Sequence, residues 1–196
     1  MSAINEIMHN LIEYEKEDVK KKYLEIYEKY KDRLTGRDLR LDRSKIKSEN
    51  GKLVGLLYLV YDLLGYGSKA VGLLRKYGKS YVMRYVVKLK KKIPEEFSND
   101  YDKVKEKIIR YAKNLLNEVK ISEDLKEKIL KEIENTEIDL ISAIGATHSY
   151  TVYLIYTAQK KLGRMEVLPT ALCEKAKISD RIIYYYLRKF NSGGIT

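Results

Sequence analysis

Residues 53–64 have the sequence LVGLLYLVYDLL, which is apolar on almost every side of a helix. A helix without a polar face is usually the central helix of a bundle, because other helices must cover it all round. Residues 150–162, YTVYLIYTAQKKL, are also mostly apolar, and Thr147 or Ser149 is predicted to cap them. Two such stretches in 196 residues indicate two helical domains of about 100 residues each.

A glycine ends each apolar stretch, and the sequence after it predicts a short helix, a turn and a longer helix. After Gly65, Ser68 is predicted to cap a short helix over residues 69–76. Gly78 then ends that helix, and a longer one follows over residues 79–93. The first half is therefore predicted to end in a pair of helices joined by a tight turn.

The second half repeats this order after Gly163. A short helix is predicted at about residues 169–176, and Ser179 and Asp180 are placed to cap the last helix. A short helix, a turn of about three residues and a longer second helix are the proportions of a helix-turn-helix motif.

Amphipathic helices are predicted before each apolar stretch, over residues 17–34 and 101–119 and after Ser122. A shift of 98 residues aligns the two apolar helices, and a shift of 101 aligns the two final helices. We interpret this as an internal duplication of roughly 95 residues. The alternative is that any two amphipathic helices align, although the shared order, lengths and turns favour duplication.

The predicted fold class is all-α, with two five-helix repeats that each end in a helix-turn-helix-like pair. The first repeat would cover residues 1–93, and the segment PEEFSND, residues 94–100, would be a linker because it combines proline, acids and no apolar run. The second repeat would cover residues 101–191, followed by a tail over residues 192–196.

Charge is distributed unequally along this strongly basic chain, whose net charge is +11 and pI about 9.4. Residues 1–93 have a net charge of +10, residues 94–144 of −4 and residues 145–196 of +5. An excess of this size predicts an acidic partner, either nucleic acid or an anionic membrane surface.

The first and last of these regions contain the predicted DNA contacts. Nine Lys and Arg residues and no acid lie between Asp62 and Glu95, and self-repulsion makes such a run costly unless a polyanion binds it. A purely solubilising face is the alternative, but such a face normally interleaves acids. The predicted phosphate anchors in this run are Lys79, Arg84, Lys88, Lys91 and Lys92.

In the second half, the residues at the start of the last helix are placed to face base edges, with Ser179 and Asp180 at its cap. Arg181 would bind a guanine bidentately, and tyrosines would contact phosphates or thymine methyl groups. The alternative is a solvated helix whose tyrosines pack on a neighbour. The predicted set is Arg164, Arg181, Tyr184, Tyr185, Arg188 and Lys189.

A further basic cluster surrounds Gly36 and comprises Arg33, Arg37, Arg40, Arg43, Lys45 and Lys47. It would lie in a loop that contacts DNA or a protein, or that forms surface ion pairs with nearby aspartates.

Catalytic motifs are absent from the sequence, so we predict that the protein is not an enzyme and needs no cofactor or metal. His9 and His148 are far apart, and His148 is predicted to be a surface or capping-region residue. Gly51-Lys52 lacks the other residues of a phosphate-binding loop. Cys173, the only cysteine, is predicted to be buried and inert. No secretory signal or membrane span is evident, so we expect a soluble, cytoplasmic protein.

Residues 147–190, THSYTVYLIYTAQKKLGRMEVLPTALCEKAKISDRIIYYYLRKF, resemble the second cyclin-like repeat of archaeal transcription factor B, the relative of eukaryotic TFIIB. Residues 48–65, SENGKLVGLLYLVYDLLG, are similar to the equivalent helix of the first repeat. The resemblance is one of pattern and length over nearly the whole chain.

This resemblance implies a transcription factor that contacts promoter DNA, a TATA-binding protein and RNA polymerase, in an archaeal cell or its virus or plasmid, at the nucleoid. The family's base-reading pair would fall on Arg181 and Tyr184. The family favours a small apolar residue and an arginine there, and it begins with a zinc ribbon that this sequence lacks. The alternative function is a cyclin-like adaptor that binds a protein without contacting DNA.

Overall fold

The structure, a computed structural model, describes residues 3–35 and 45–191. These residues contain ten α-helices and no β-strand, which confirms the predicted all-α class. The helices are α1 Ala3–Ile12, α2 Glu17–Thr35, α3 Lys45–Leu64, α4 Gly67–Tyr77, α5 Lys79–Lys92, α6 Tyr101–Glu118, α7 Glu123–Asn135, α8 Leu140–Lys161, α9 Pro169–Ala176 and α10 Arg181–Asn191. Most of the predicted cluster around Gly36 and the predicted tail, residues 192–196, lie outside the described residues.

The chain divides into two compact units. The first lies within Met1–Leu64 and Lys69–Ser98, and the second within Gly65–Ser68 and Asn99–Thr196. The predicted linker is divided between them. Its Glu95 carboxylate accepts a hydrogen bond from Arg33 at 2.5 Å in the first unit, and its Asp100 caps α6 in the second by accepting from the Lys103 amide.

The first unit is built around α3, as its apolar sequence predicts. Most of the side chains from Leu53 to Tyr61 are buried, and α5, α2 and α1 pack against this helix. The helix begins eight residues before the apolar run, at Lys45, because the run marks only the part that is covered on all sides. The predicted cap at Ser68 is wrong, since α4 begins at Gly67 and Ser68 lies inside its first turn.

Two glycines allow α5 to approach α3 closely. A Cβ atom on Gly51 would lie 2.1 Å from the ring of Tyr85, and one on Gly55 would lie 2.9 Å from the Cβ of Tyr85 and 3.2 Å from Leu89. The distances of 2.1 and 2.9 Å are shorter than real Cβ contacts, so a Cβ at either glycine would displace Tyr85. Gly51 and Gly55 are therefore packing residues of the α3–α5 contact.

The second unit is built around α8, which packs most extensively on α6 and also contacts α7, α9 and α10. Aromatic rings fill the space between α8 and α10. The ring of Tyr153 stacks on that of Phe190 with centroids 5.4 Å apart, and buried Tyr186 lies 5.4 Å from both Tyr150 and Tyr153. Such ring pairs add to the stabilisation from area burial alone.

Helix α8 is longer than predicted and is kinked at Ala146. Thr147 and Ser149 lie inside it, so the predicted caps are wrong. The true N-cap is Asp139, whose carboxylate accepts hydrogen bonds from the Ile141 and Ser142 amides. Just after the kink, the Thr147 hydroxyl donates to the Ala143 carbonyl at 2.6 Å, and threonine bonds of this type commonly bend helices.

Between α8 and α9, a seven-residue connection is held by one fully buried amide. The Nε2 of Gln159 donates to the Val167 carbonyl at 3.1 Å, and the Val167 amide donates back to Oε1 at 3.0 Å. Gln159 is 0% exposed, so both bonds are shielded from water. Because the donor and acceptor of Val167 are both satisfied, burial of this residue leaves neither of its backbone groups without a partner.

The two units share an order of helices but differ in how the central helix is packed. Helix α3 packs mostly against α5, whereas α8 packs mostly against α6. The connections differ as well: two residues separate α3 from α4, and seven separate α8 from α9. The internal duplication and its cyclin-like arrangement therefore stay a prediction.

Candidate nucleic-acid interface

Helix α5 has one buried and one solvent-facing side. Its inward side chains are Val82, Tyr85, Val86 and Leu89, at the spacing of one helical face. The opposite face carries Arg84, Lys88 and Lys91, separated by four and three residues. We call these three side chains the α5 basic face.

The α5 basic face is electrostatically uncompensated within the part of the chain that the structure describes. Arg84 and Lys91 are exposed and Lys88 is partly exposed, and none of them forms an ion pair with a described acid. Lys29 and Arg33, by contrast, each bind a glutamate, at 2.7 Å and 2.5 Å. Three like charges along one helical face repel each other, so a bound anion would stabilise them.

The other two predicted anchors of α5 lie on the flanks of this face. Lys79 is the first residue of the helix and is exposed. The Nζ of Lys92 donates to the Arg33 carbonyl at 2.9 Å, so it is already engaged by the protein. Three of the five predicted anchors therefore lie together on the α5 basic face, and the other two lie outside it.

The turn between α9 and α10 spans residues 177–180, which matches the three to four residues of a helix-turn-helix connection. Lys177 adopts a left-handed conformation with φ of 56°, and its amide bonds to the Glu174 carbonyl at 3.0 Å. The ring of His148 on α8 donates from Nε2 to the Ala176 carbonyl at 2.8 Å. His148 is thus partly buried and not a surface residue, and its bond to the last carbonyl of α9 is a capping contact, which is the other of the two roles predicted for it.

The turn between α4 and α5 departs from these proportions. Only Gly78 separates the two helices, and its φ of 89° lies in the region that favours glycine. The sequence predicted a helix-turn-helix-like pair in both halves, but only the α9–α10 pair has a connection of the usual length.

Helix α10 exposes a cationic and aromatic face. Arg181 and Arg188 lie along the solvent side, with Tyr184 on one edge and Tyr185 on the other. The two tyrosines are 60% and 57% exposed, so most of each side chain is open to a ligand. The helix contains no acidic residue, and its opposite side packs Ile183 and Tyr186 into the core. We call these four outward side chains the α10 face.

Two shallow clefts adjoin this face and share Arg181 and Tyr185. One, of about 420 Å³, lies at the α9–α10 turn and is lined by Ser149, Ile178, Ser179 and Ile182 in addition to the shared pair. The other, of about 350 Å³, is completed by Arg188 and Lys189. We call them the turn cleft and the cationic cleft. The first has an apolar floor, and the second is lined by cations.

Lys189 binds the protein itself. Its Nζ lies 3.0 Å from the Asp139 carboxylate and also donates to the Ser142 hydroxyl. Hydrogen bonds from Ser142 and from Lys189 lower the pKa of Asp139 to about 2. This pair attaches the end of α10 to the start of α8, so Lys189 has a structural role in addition to the predicted DNA contact.

Arg164, another predicted contact, is balanced by two acids. Its guanidinium lies 2.5 Å from Asp124 and 2.6 Å from Glu166. The Glu166 carboxylate also accepts hydrogen bonds from the amide and hydroxyl of Ser122 at the start of α7. Arg164 therefore belongs to a local network of charged and polar groups at the start of α7.

Sequence reasoning missed the residues that hold these surfaces in place. Gln159 and Asp139 had no motif to mark them, although Asp139 precedes an apolar segment, which is a weak signal for a helix cap. Burial of Cys173, by contrast, is confirmed, and burial raises the pKa of its thiol to about 11. A thiol with a raised pKa is a poor nucleophile at neutral pH.

No protein-family model, curated protein or solved structure matches this chain. Among the described residues, no group of three or more His, Cys, Asp or Glu side chains is placed to hold a metal ion. None of the described helices is both long enough and apolar enough to cross a membrane. The α5 basic face and the α10 face are therefore the features that bear on function.

Proposed function

We propose that the protein is a transcription factor that binds duplex DNA through contacts alone. The observation that carries this proposal is the α5 basic face, where Arg84, Lys88 and Lys91 lie together without an acidic partner among the described residues. Proteins keep such faces for polyanions, because without one the like charges only repel each other.

The α5 basic face would bind phosphates. Each phosphate that a cation neutralises releases condensed counterions, and three such contacts contribute about −2.7 to the slope of log K against log salt for B-DNA. Contacts of this kind set the position of the protein on the duplex without reading its sequence. We therefore expect binding by α5 to be strong at low salt and insensitive to base sequence.

The α10 face would supply groove contacts. Arg181 and Arg188 are two exposed guanidinium groups on the second helix of the α9–α10 pair, which is the helix that enters the major groove in a helix-turn-helix. An arginine that binds the O6 and N7 of guanine discriminates against a wrong base by about 1–3 kcal/mol. This face is therefore the expected source of any sequence preference.

A charge-reversal series tests the proposal. The variant Arg84→Glu/Lys88→Glu/Lys91→Glu is compared with Lys113→Glu/Lys120→Glu/Lys131→Glu, which makes the same change in net charge at exposed lysines of the second unit. Fluorescence anisotropy with mixed-sequence duplexes is measured over a series of salt concentrations. The first variant should bind much more weakly than the second at every sequence, with a salt slope shallower by about 2.7.

Two outcomes would reject the proposal. Absence of duplex binding by the wild-type protein at low salt would exclude DNA binding and favour the protein-binding adaptor. Equal weakening in the two triple variants would show that affinity follows net charge and not the α5 basic face. The resemblance to transcription factor B adds a TATA-binding protein and RNA polymerase as expected partners, so the assay is repeated on TATA-containing duplexes with a TATA-binding protein added.

A further inference from the structure

The two clefts beside α10 have complementary chemistry. The turn cleft has Ile178 and Ile182 in its lining and the hydroxyls of Ser149 and Ser179 at its sides. These groups suit a flat, mostly apolar ring whose edge carries hydrogen-bonding atoms. The cationic cleft contains no acid among its lining residues, and its arginines suit a phosphate.

Tyr185 lies at the junction of the two clefts and is held in position. Its ring makes an edge-on contact with the ring of Tyr186, with centroids 5.1 Å apart and an interplanar angle of 71°. Tyr186 is itself buried against Tyr150 and Phe190, so Tyr185 lies against a packed aromatic cluster. A ring that is ordered before binding loses little conformational entropy when a ligand stacks on it.

Tyr184 provides a contrast on the same helix. It is as exposed as Tyr185, yet it lines neither cleft and makes no ring contact with another described aromatic residue. Exposure alone therefore does not distinguish Tyr185. Tyr185 differs from Tyr184 because it lines both clefts, one with isoleucines in its lining and one with cations.

We propose that Tyr185 and the two clefts form a binding site for one nucleotide of a single strand of DNA or RNA. The base would stack on Tyr185 in the turn cleft, and the adjoining phosphate would bind Arg181 and Arg188 in the cationic cleft. This inference rests on the proposed nucleic-acid-binding function, and it adds single-stranded nucleic acid to the duplex as a ligand.

A single strand is the form that fits this site. In a duplex the faces of the bases are covered by their neighbours, so an exposed ring cannot stack on them without disrupting the helix. In a single strand each base face is open, and stacking on an aromatic side chain is tolerant of sequence. A duplex would use the same arginines but would leave the aromatic platform without a partner.

The test compares three oligonucleotides at low salt by fluorescence anisotropy. They are an oligothymidylate of about 16 nucleotides, an abasic strand of the same length, and a mixed-sequence duplex. The wild-type protein should bind the oligothymidylate about tenfold more tightly than the abasic strand, because only the former offers bases for stacking. Equal affinity for the two strands, or no binding to either, would overturn the inference.

Variants assign this preference to Tyr185. Tyr185→Leu should remove the tenfold preference for bases, whereas Tyr185→Phe should retain the preference because the ring remains. Tyr184→Leu removes an exposed ring that lines neither cleft, so this matched control should keep the tenfold preference for bases. Loss of the preference in Tyr185→Phe would indicate that the hydroxyl bonds to the base and would overturn stacking.

The duplex arm separates this inference from the proposed function. If the wild-type protein binds the duplex but shows no preference for bases in a single strand, the inference fails and the proposed function stands. If it shows that preference but binds no duplex, the proposed function fails and the nucleotide site stands. Thermal unfolding of each variant by circular dichroism confirms that all are folded.

Discussion

Helices α5 and α10 bury residues that the predicted duplication would align, but they bury them against different neighbours. A shift of 101 residues places Val82 on Ile183 and Tyr85 on Tyr186, and all four are buried. The helices beneath them differ. A shift of 98 residues places Gly51 and Gly55 of α3 on Ser149 and Tyr153 of α8.

This difference explains the two surfaces. Glycines on α3 let α5 approach closely, so the surface there is the outward face of a tightly packed helix. On α8 the aromatic ring of Tyr153 fills that space and stacks on Phe190 of α10. Clefts then adjoin α10, one of them lined by Ser149. Similar helices thus present a charged face in one unit and a pair of clefts in the other.

The largest expected effect comes from removing the aromatic packing of α10. Tyr186→Ala should lower the free energy of unfolding by about 3–5 kcal/mol, because it leaves a large cavity among Tyr150, Tyr153 and Phe190. Tyr184→Ala, at the exposed neighbouring tyrosine, should change it by less than about 0.5 kcal/mol. Urea denaturation measures both, and similar losses would show that the aromatic cluster does not support α10.

The long connection in the second unit gives the next prediction. Gln159→Leu should destabilise the protein by about 2–4 kcal/mol, because it leaves the amide and carbonyl of Val167 buried without partners. The exposed neighbour Lys160→Leu serves as the control and should have little effect. Urea denaturation again provides the measurement. A small effect of Gln159→Leu would mean that water reaches the loop and replaces the amide.

The close α3–α5 contact is tested with two alanine substitutions that should change the free energy of unfolding in opposite directions. Gly55→Ala should cost about 1–3 kcal/mol, because its new Cβ would meet the Cβ of Tyr85 at 2.9 Å. Gly72→Ala on α4 adds a Cβ in open space and should stabilise by about 0.5–1 kcal/mol through helix propensity. Thermal unfolding measures the pair, and stabilisation by both would contradict a close contact.

The smallest effect concerns Asp139, which joins α8 to α10. Its pKa is lowered to about 2, below that of an unfolded aspartate near 4. It therefore contributes stability in full above about pH 4, and this contribution is lost as the pH falls toward 2. Asp139→Asn should destabilise by about 1 kcal/mol at pH 7 and by almost nothing at pH 2. The urea midpoints of the wild-type protein and of Asp139→Asn are measured from pH 7 to pH 2. A difference in midpoint that does not change with pH would contradict the lowered pKa of Asp139.

Periodicity predicted the helices well, because covered and exposed faces leave a clear pattern. Residues 169–176 of α9 and the ends of α5 and α6 agree with the sequence to within one or two residues. The predicted starts of α3 and α8 were less accurate. Mostly polar residues precede the apolar run in α3, and a kink at Ala146 precedes it in α8. A cap such as Asp139 is recognised only when the geometry of its bonds is known.

The candidate site was predicted less completely than the fold. Composition located Arg84, Lys88 and Lys91, because a run of cations without acids is visible in one dimension. Composition did not show that Lys189 and Arg164 are paired with acids. Their partners, Asp139 and Asp124, are 50 and 40 positions away in sequence. Clefts and ring contacts at Tyr185 depend on packing between helices, for which a single sequence carries no signal.

The bond pair between Gln159 and Val167 has a consequence for hydrogen exchange. Amide protons in loops usually exchange within the time of mixing, since local fluctuations expose them to solvent. The Val167 amide is buried and bonded to a side chain of the central helix, so it should exchange only when the core of the second unit opens. Protection of the Val167 amide, which lies beyond the loop amides that bond back to the end of α8, would thus report the opening of that core.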